Sequence, residues 1–272
     1  MARLAGKVAM VVGAGSVGPG WGNGKATAVA FAREGARVFC VDRDLAAAQE
    51  TAGLIAGEGG EAIASAADVA RPDDIVAAIA DCLSAFGRID VLDNNVGIFE
   101  AGDVTAVEPD TWDRVFAINL KSAYLAMREV IPVMVRQGSG SIINISSVSG
   151  IRHLGISDVT YGTSKAAMNH MTRITAAKFA RDKVRVNAIV PGLLRTPFVE
   201  ASAAQLASEA ERNRFWASRD ARVPIGHMGD AWDVAHAAVF LASEESRYVT
   251  GIELVVDGGL TWSATGLTWT AN

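Results

Sequence analysis

Short apolar runs rich in β-branched residues recur along the chain, each separated from the next by a longer segment with helical periodicity. They read VAMVV, RVFCVD, EAIASAADV, IDVLDNN, SIINISS, VRVNAIVPG and IELVVDGG. The segments between them include a helix from about Lys25, then LAAAQETAGLIAG and DDIVAAIADCLSAFG. Strands apolar on both sides need cover on both faces, and strands that alternate with helices pair in parallel. The pattern predicts an α/β fold with a doubly wound parallel sheet and helices on both faces. No linker-like shift in composition and no internal repeat interrupts it, so one domain over residues 1–272 is expected. The least regular stretch, about 195–225, reads as an inserted helical lid.

Bulk properties narrow the partners. With 272 residues, half of them apolar, and a formal net charge of −5, the chain gives no reason to expect nucleic acid. No apolar stretch reaches the roughly 18 residues that span a bilayer, and MARLAGKVAMVV lacks the form of a signal peptide. Cys40 and Cys82 lie in apolar or helical patterns and are expected as buried free thiols, which fits a reducing cytoplasm. The four histidines are scattered without ligand spacing, so no metal is expected.

Between the first strand and first helix stands VVGAGSVGPGWGNG, with seven of its fourteen residues glycine or proline. Each glycine costs roughly 0.5–1 kcal/mol of backbone entropy, so the turn needs space or positive φ angles. Such a turn can set backbone N–H groups and a helix N-terminus against a diphosphate, although a plain surface loop can look alike. Gly13 would make the turn, and Gly22 and Gly24 would allow close backbone approach. Asp42, ending RVFCVD 18 residues beyond Gly24, could accept from a ribose 2′-hydroxyl.

Tyr161 and Lys165 in YGTSK are four apart and would share a helix face. A phenol near pKa 10 works as a base near neutrality only if lowered by about three units, about 4 kcal/mol. One ammonium about 4 Å away, at an effective dielectric near 20, supplies that much.

These features, with NNVG at 94–97, Asn119 in FAINL, INISSVSG at 143–150, PGLLRT at 191–196 and the closing TGIELVVDGG, resemble the short-chain dehydrogenase/reductases over nearly the whole chain. The resemblance implies a Rossmann-fold oxidoreductase that interconverts a secondary alcohol and a ketone with a nicotinamide dinucleotide. It makes Tyr161 the general acid/base and Lys165 the nicotinamide-ribose ligand that lowers its pKa. Ser147, rather than Ser146, would bond the substrate oxygen, and Asn119 would hold a water in a proton relay. It places Gly13, Ser16, Gly22, Asn23, Gly24, Asp42, Arg43, Asp68, Val69, Asn95, Val96 and Gly97 on the cofactor, with Asn94 bracing the sheet beside it. Pro191, Gly192, Leu194 and Thr196 would shape the nicotinamide end. Asp42 points to NAD over NADP, whereas Arg43 directly after it is used by some NADP-preferring relatives. A homotetramer is also implied. Two rivals on the same fold are an epimerase or dehydratase, which usually carries a larger C-terminal domain, and a dinucleotide-sensing regulator, which typically lacks the tyrosine–lysine pair.

The chain departs from the family pattern at Val12, at Val96 and in VGPGW, Val17–Trp21, which looks like an inserted flap over the cofactor phosphates. His153, Leu154, Phe198 and Trp216 are the candidate substrate contacts. Arg212, Arg214, Arg219 and Arg222 are expected to pair with Glu209, Glu211 and Asp220 on a solvated helix; the alternative is that they meet a substrate carboxylate or sulfonate. Trp262 and Trp269 in the tail could cover the active site or a neighbouring subunit.

Overall fold

In the computed structural model, which describes residues 2–204 and 206–263, seven strands form one parallel sheet. The strands are β1 (Val8–Val12), β2 (Arg37–Asp42), β3 (Ala62–Ala66), β4 (Val91–Asn94), β5 (Gly140–Ile145), β6 (Val184–Pro191) and β7 (Glu253–Val256). Their order is β3-β2-β1-β4-β5-β6-β7. The helices are α1 (Asn23–Arg33), α2 (Leu45–Gly57), α3 (Pro72–Phe86), α4 (Pro109–Phe116), α5 (Ser122–Gln137), α6 (Val159–Phe179), α7 (Pro197–Ala203), α8 (Glu209–Asp220) and α9 (Ala231–Ala242).

Alternation along the strands feeds two cores. In β1, Ala9 and Val11 join a cluster with Ala26, Val29 and Phe31 of α1 and Val234, Ala235 and Ala238 of α9. Val8, Met10 and Val12 point the other way, among residues of α3, α5 and α6 such as Ile79, Val130 and Ala176. Both faces are covered, which is why the strands carry no polar alternation. Cys40 and Cys82 are both buried and free, and burial pushes each thiol up to about 12.

Local chemistry sets the helix ends. Asp44 caps α2 by accepting from the Ala46 N–H, while Gly87 and Gly138, both at φ +77°, end α3 and α5. Capping boxes open α8 (Ser208 with Glu211) and α9 (Asp230 with Asp233). Strand order reverses between β1 and β4, so the crevice beyond their carboxyl ends is where this fold takes ligands. Among the described residues no helix is long and apolar enough to cross a membrane.

Candidate active site

A cleft of about 600 Å³ opens at that strand reversal, within the usual range for a small-molecule site. The glycine turn forms one wall. Gly13 sits at φ +90°, and a Cβ there would press on Val96. A Cβ on Gly24 would run into the Gly13 carbonyl, so helix and turn approach at a distance that only glycine permits. Gly22, at the N-cap of α1, offers no side-chain acceptor, and the first turn of α1 carries no acidic residue. The positive end of α1 is left uncompensated toward the cleft. A diphosphate fits these features.

The inserted Val17–Trp21 stretch is held at both ends. Ser16 Oγ donates to the Gly18 carbonyl, and Trp21 packs on Trp232 of α9 with ring centroids 4.8 Å apart. Gly20, at φ +108°, lies against Pro197 at the start of α7. The insertion thus joins the glycine turn to the base of α7.

Asp42 ends β2 with its carboxylate held by two backbone donors, Gly15 N–H at 2.9 Å and Asp44 N–H at 3.0 Å. Gly15 was absent from the sequence reading. A Cβ there would sit 2.8 Å from Asp42 Oδ2, so the glycine is what lets the carboxylate lie against the turn. Arg43, Asp68, Val69, Asn95, Val96 and Gly97 continue this wall, and Pro191, Gly192, Leu194 and Thr196 line its other end. Asn94 donates to Asn144 Oδ1 at 2.9 Å, and Asn144 donates to Thr172 at 2.9 Å, tying β4 through β5 to α6.

Helix α6 brings Tyr161 and Lys165 to the same cleft. Lys165 is buried, its Nζ donating to the Ile145 carbonyl at 2.8 Å and lying 5.7 Å from the Tyr161 ring centre. Burial pushes the Lys165 pKa down to about 8. The Tyr161 phenol is raised: burial dominates, the Ser147 hydroxyl pulls the other way, and the Asp158 carboxylate adds to the rise. Lys165 is not among the groups that shift the phenol here, its ammonium bonding the Ile145 carbonyl.

The two serines separate clearly. Ser146 Oγ donates to the Lys165 carbonyl at 3.3 Å, whereas Ser147 Oγ accepts from the Ser149 N–H and remains available to the phenol. Asn119 lies in a single π-turn, Ala117–Lys121, between α4 and α5. Such turns interrupt the regular ladder and recur at functional sites. Its side chain closes a two-way bond with Ile98, accepting from the N–H at 2.8 Å and donating to the carbonyl at 2.9 Å.

Of the candidate substrate residues, Leu154 and Phe198 line the cleft. His153 and Trp216 do not. Residues 151–158 alternate outward and inward, so His153 is exposed on the rim while Leu154, Ile156 and Asp158 face in. Trp216 packs with Val148, Leu193 and Leu154 under the Arg195 guanidinium. Two residues that sequence reading passed over join the site: Asp158, and Phe99, edge-on to Tyr161 at 5.6 Å. No local signal marks Asp158, while Phe99 stands two residues beyond NNVG. The expected arginine pairs of α8 are not formed among the described residues. Glu211 bonds Ser208 instead, and Asp220 accepts from the Met228 N–H. Trp262 is exposed, and Trp269 lies outside the described residues.

The sequence profile of a family described as enoyl-(acyl carrier protein) reductase matches residues 19–261. A 2,5-dichloro-2,5-cyclohexadiene-1,4-diol dehydrogenase of Sphingobium indicum is 36% identical, over 96% of this chain and 98% of its own. A short-chain dehydrogenase/reductase structure from Burkholderia xenovorans superposes with a TM-score of 0.93 at 45% identity, covering 97% of this chain and 100% of that one. A gluconate 5-dehydrogenase from Burkholderia cenocepacia, in complex with NADP and tartrate, gives 0.86 at 32% identity, over 96% and 98%. Similarity of this extent, end to end and in both sequence and backbone, places the chain in the short-chain dehydrogenase/reductase family of oxidoreductases.

Proposed function

We propose that the protein is a cytoplasmic, NAD-preferring dehydrogenase that interconverts a secondary alcohol and a ketone. The observation that carries this reading is the convergence of Tyr161, Ser147 and Lys165 on one cleft with the glycine turn, with Asn119 buried behind it against Ile98. The dinucleotide, when bound, supplies the hydride acceptor. The chain's own groups handle position and proton. Ser147 Oγ holds the alcohol oxygen, and Tyr161 Oη takes its proton during oxidation or returns it during reduction. Lys165 Nζ binds the nicotinamide ribose and supports the phenolate by charge. A Cβ on Gly97 would stand 3.2 Å from Lys165 Nζ, so the glycine leaves room beside the ammonium. Helices α7 and α8 form a lid over the substrate end. Buried free thiols support a reducing compartment. The reading is tested by NADH formation with a panel of secondary alcohols. Absence of turnover across the panel counts against it.

The NAD preference rests on Asp42. Its two oxygens, already oriented by backbone N–H groups, have lone pairs left for the ribose 2′- and 3′-hydroxyls. A 2′-phosphate would set about two negative charges against it, at roughly 4 kcal/mol per charge pair at 4 Å and an effective dielectric near 20. Arg43 is exposed beside it and offsets part of that repulsion, and NADP is found in a related structure. Wild type should favour NAD by at least about tenfold in kcat/KM, about 1.4 kcal/mol. Asp42→Ala should erode that ratio by improving use of NADP. Equal kcat/KM for the two cofactors, or an unchanged ratio in the variant, counts against the assignment.

Self-association as a homotetramer follows from family membership and from the apolar C-terminal edge of the sheet. Light scattering at micromolar concentration should give four times the chain mass, and a monomer refutes it.

A further inference from the structure

Arg219 stands in the last turn of α8 and lines the cleft. Trp216, one turn before it, and Arg222, just past the helix end, show which end of the cleft it reaches. Trp216 packs in the cluster with Val148 and Leu154, and Arg222 Nη2 donates to the Leu154 carbonyl at 2.7 Å. Val148 follows Ser147 directly, so Arg219 is carried to the substrate end. Its guanidinium stacks over Phe215 at 5.0 Å from the ring centre.

No acidic group among the described residues answers its charge. Nε is buried without a hydrogen-bond partner, and no carboxylate among the described residues lies within ion-pair distance. Glu211 serves the α8 cap, Asp220 accepts from the Met228 N–H, and Glu209 forms no ion pair with Arg219 among the described residues. Met1, Gln205 and residues 264–272 contain no Asp or Glu. Burial and the nearby Arg222 charge both disfavour its cationic form, yet a guanidinium stays charged. A half-buried guanidinium with an unpartnered Nε at the cleft wall is a ready site for an anion. Asp158, which also lines the cleft, acts on Tyr161 and repels an anion from the phenol.

We propose that Arg219 docks a carboxylate on the substrate, so that the protein selects hydroxy and oxo acids over their neutral analogues. The planar fork of five donors suits a two-oxygen anion. Asp158 and Arg219 together orient such a substrate, its carbinol toward Tyr161 and its carboxylate toward α8. The proposal rests on the dehydrogenase reading above and narrows its substrate class.

The test compares 3-hydroxybutanoate, 4-hydroxypentanoate and 5-hydroxyhexanoate with their methyl esters as substrates for wild type, Arg219→Met and Arg219→Lys. At the best chain length the acid should exceed the ester by at least about tenfold in kcat/KM. Arg219→Met should remove that advantage, lowering kcat/KM for the acid far more than for the ester and chiefly through KM, because the charge contact is made equally before and during reaction. Arg219→Lys should restore part of it. NADH binding and melting temperature identify any variant that fails to fold. Equal use of acid and ester by wild type, or an acid preference that survives in Arg219→Met, overturns the proposal. If no alcohol of either series is oxidised, the dehydrogenase reading fails, and a second measurement decides the role of Arg219. Saturation-transfer NMR of butanoate, pentanoate and hexanoate on the NADH-bound protein should show binding to wild type that Arg219→Met loses. No binding to wild type, or equal binding to both, overturns it.

Discussion

Replacing Tyr161 with phenylalanine is expected to lower kcat by about 10²–10⁴-fold while cofactor affinity stays within a factor of about two, since only the acid–base contribution is removed. The ring would keep its edge contact with Phe99, and Lys165 would keep its bond to the Ile145 carbonyl, so the walls of the cleft stay in place. What disappears is the one hydroxyl that Ser147 and Asp158 both act on. The pH profile adds a second readout. With the phenol raised by burial, its neutral form dominates near neutrality, and that form donates the proton that ketone reduction needs. Ketone reduction should therefore hold near neutral pH and fall as the phenol ionises, while alcohol oxidation rises over the same range. Lys165, pushed down to about 8, loses its charge before the raised phenol ionises and so delays the rise in oxidation. Single-turnover rates for wild type and Tyr161→Phe across pH check both points. A variant retaining more than about a tenth of the wild-type rate, or an oxidation rate flat in pH, removes Tyr161 from the role given to it.

The parts of this molecule that were legible in the sequence share a physical cause. A parallel sheet covered on both faces leaves short uninterrupted apolar runs, so all seven strands could be read off. A diphosphate site needs backbone at close range, so Gly13 and Gly24 announce themselves by composition. Residues at strand ends, such as Asp42 and Ser147, follow from locating the strands. What stayed hidden depends on side-chain direction in irregular segments. His153 and Leu154 are adjacent and chemically plausible alike, and only the extended course of residues 151–158 turns one out and the other in. The acids near Arg219 looked like its partners by spacing along α8, yet capping the helix and bonding the Met228 N–H took them. An ammonium lowers the phenol strongly only within about 4 Å of the hydroxyl. In the structure the ammonium is drawn to the end of β5 instead.

Asp93 is the strongest instance of a group that pattern reading passes over, and it should make the stability of the protein depend on pH. It lies in β4 beside Val11 of β1 and Ile143 of β5, both fully buried in the core shared by α1 and α9. Asp93 itself is 0% exposed. Its Oδ2 accepts one long bond from Asn95 Nδ2 at 3.4 Å, and its Oδ1 has no partner among the described residues. Burial raises its pKa to about 7, against the weaker opposite pull of Asn95. An unfolded aspartate titrates near 3.9, so folding binds a proton at this site. The contribution to stability is thus full below about pH 4 and is lost as pH rises through about 7. Three units at 1.36 kcal/mol each amount to about 4 kcal/mol. Asp93→Asn keeps the shape and the acceptor for Asn95 but cannot ionise. Its stability relative to wild type should therefore climb by about 4 kcal/mol between about pH 4 and pH 8, read from denaturant unfolding of both proteins at each pH. Subtracting the two curves cancels the other titrating groups, because they are common to both. Parallel curves would mean that Asp93 stays ionised in the folded protein, and would require a partner for Oδ1 such as a buried water.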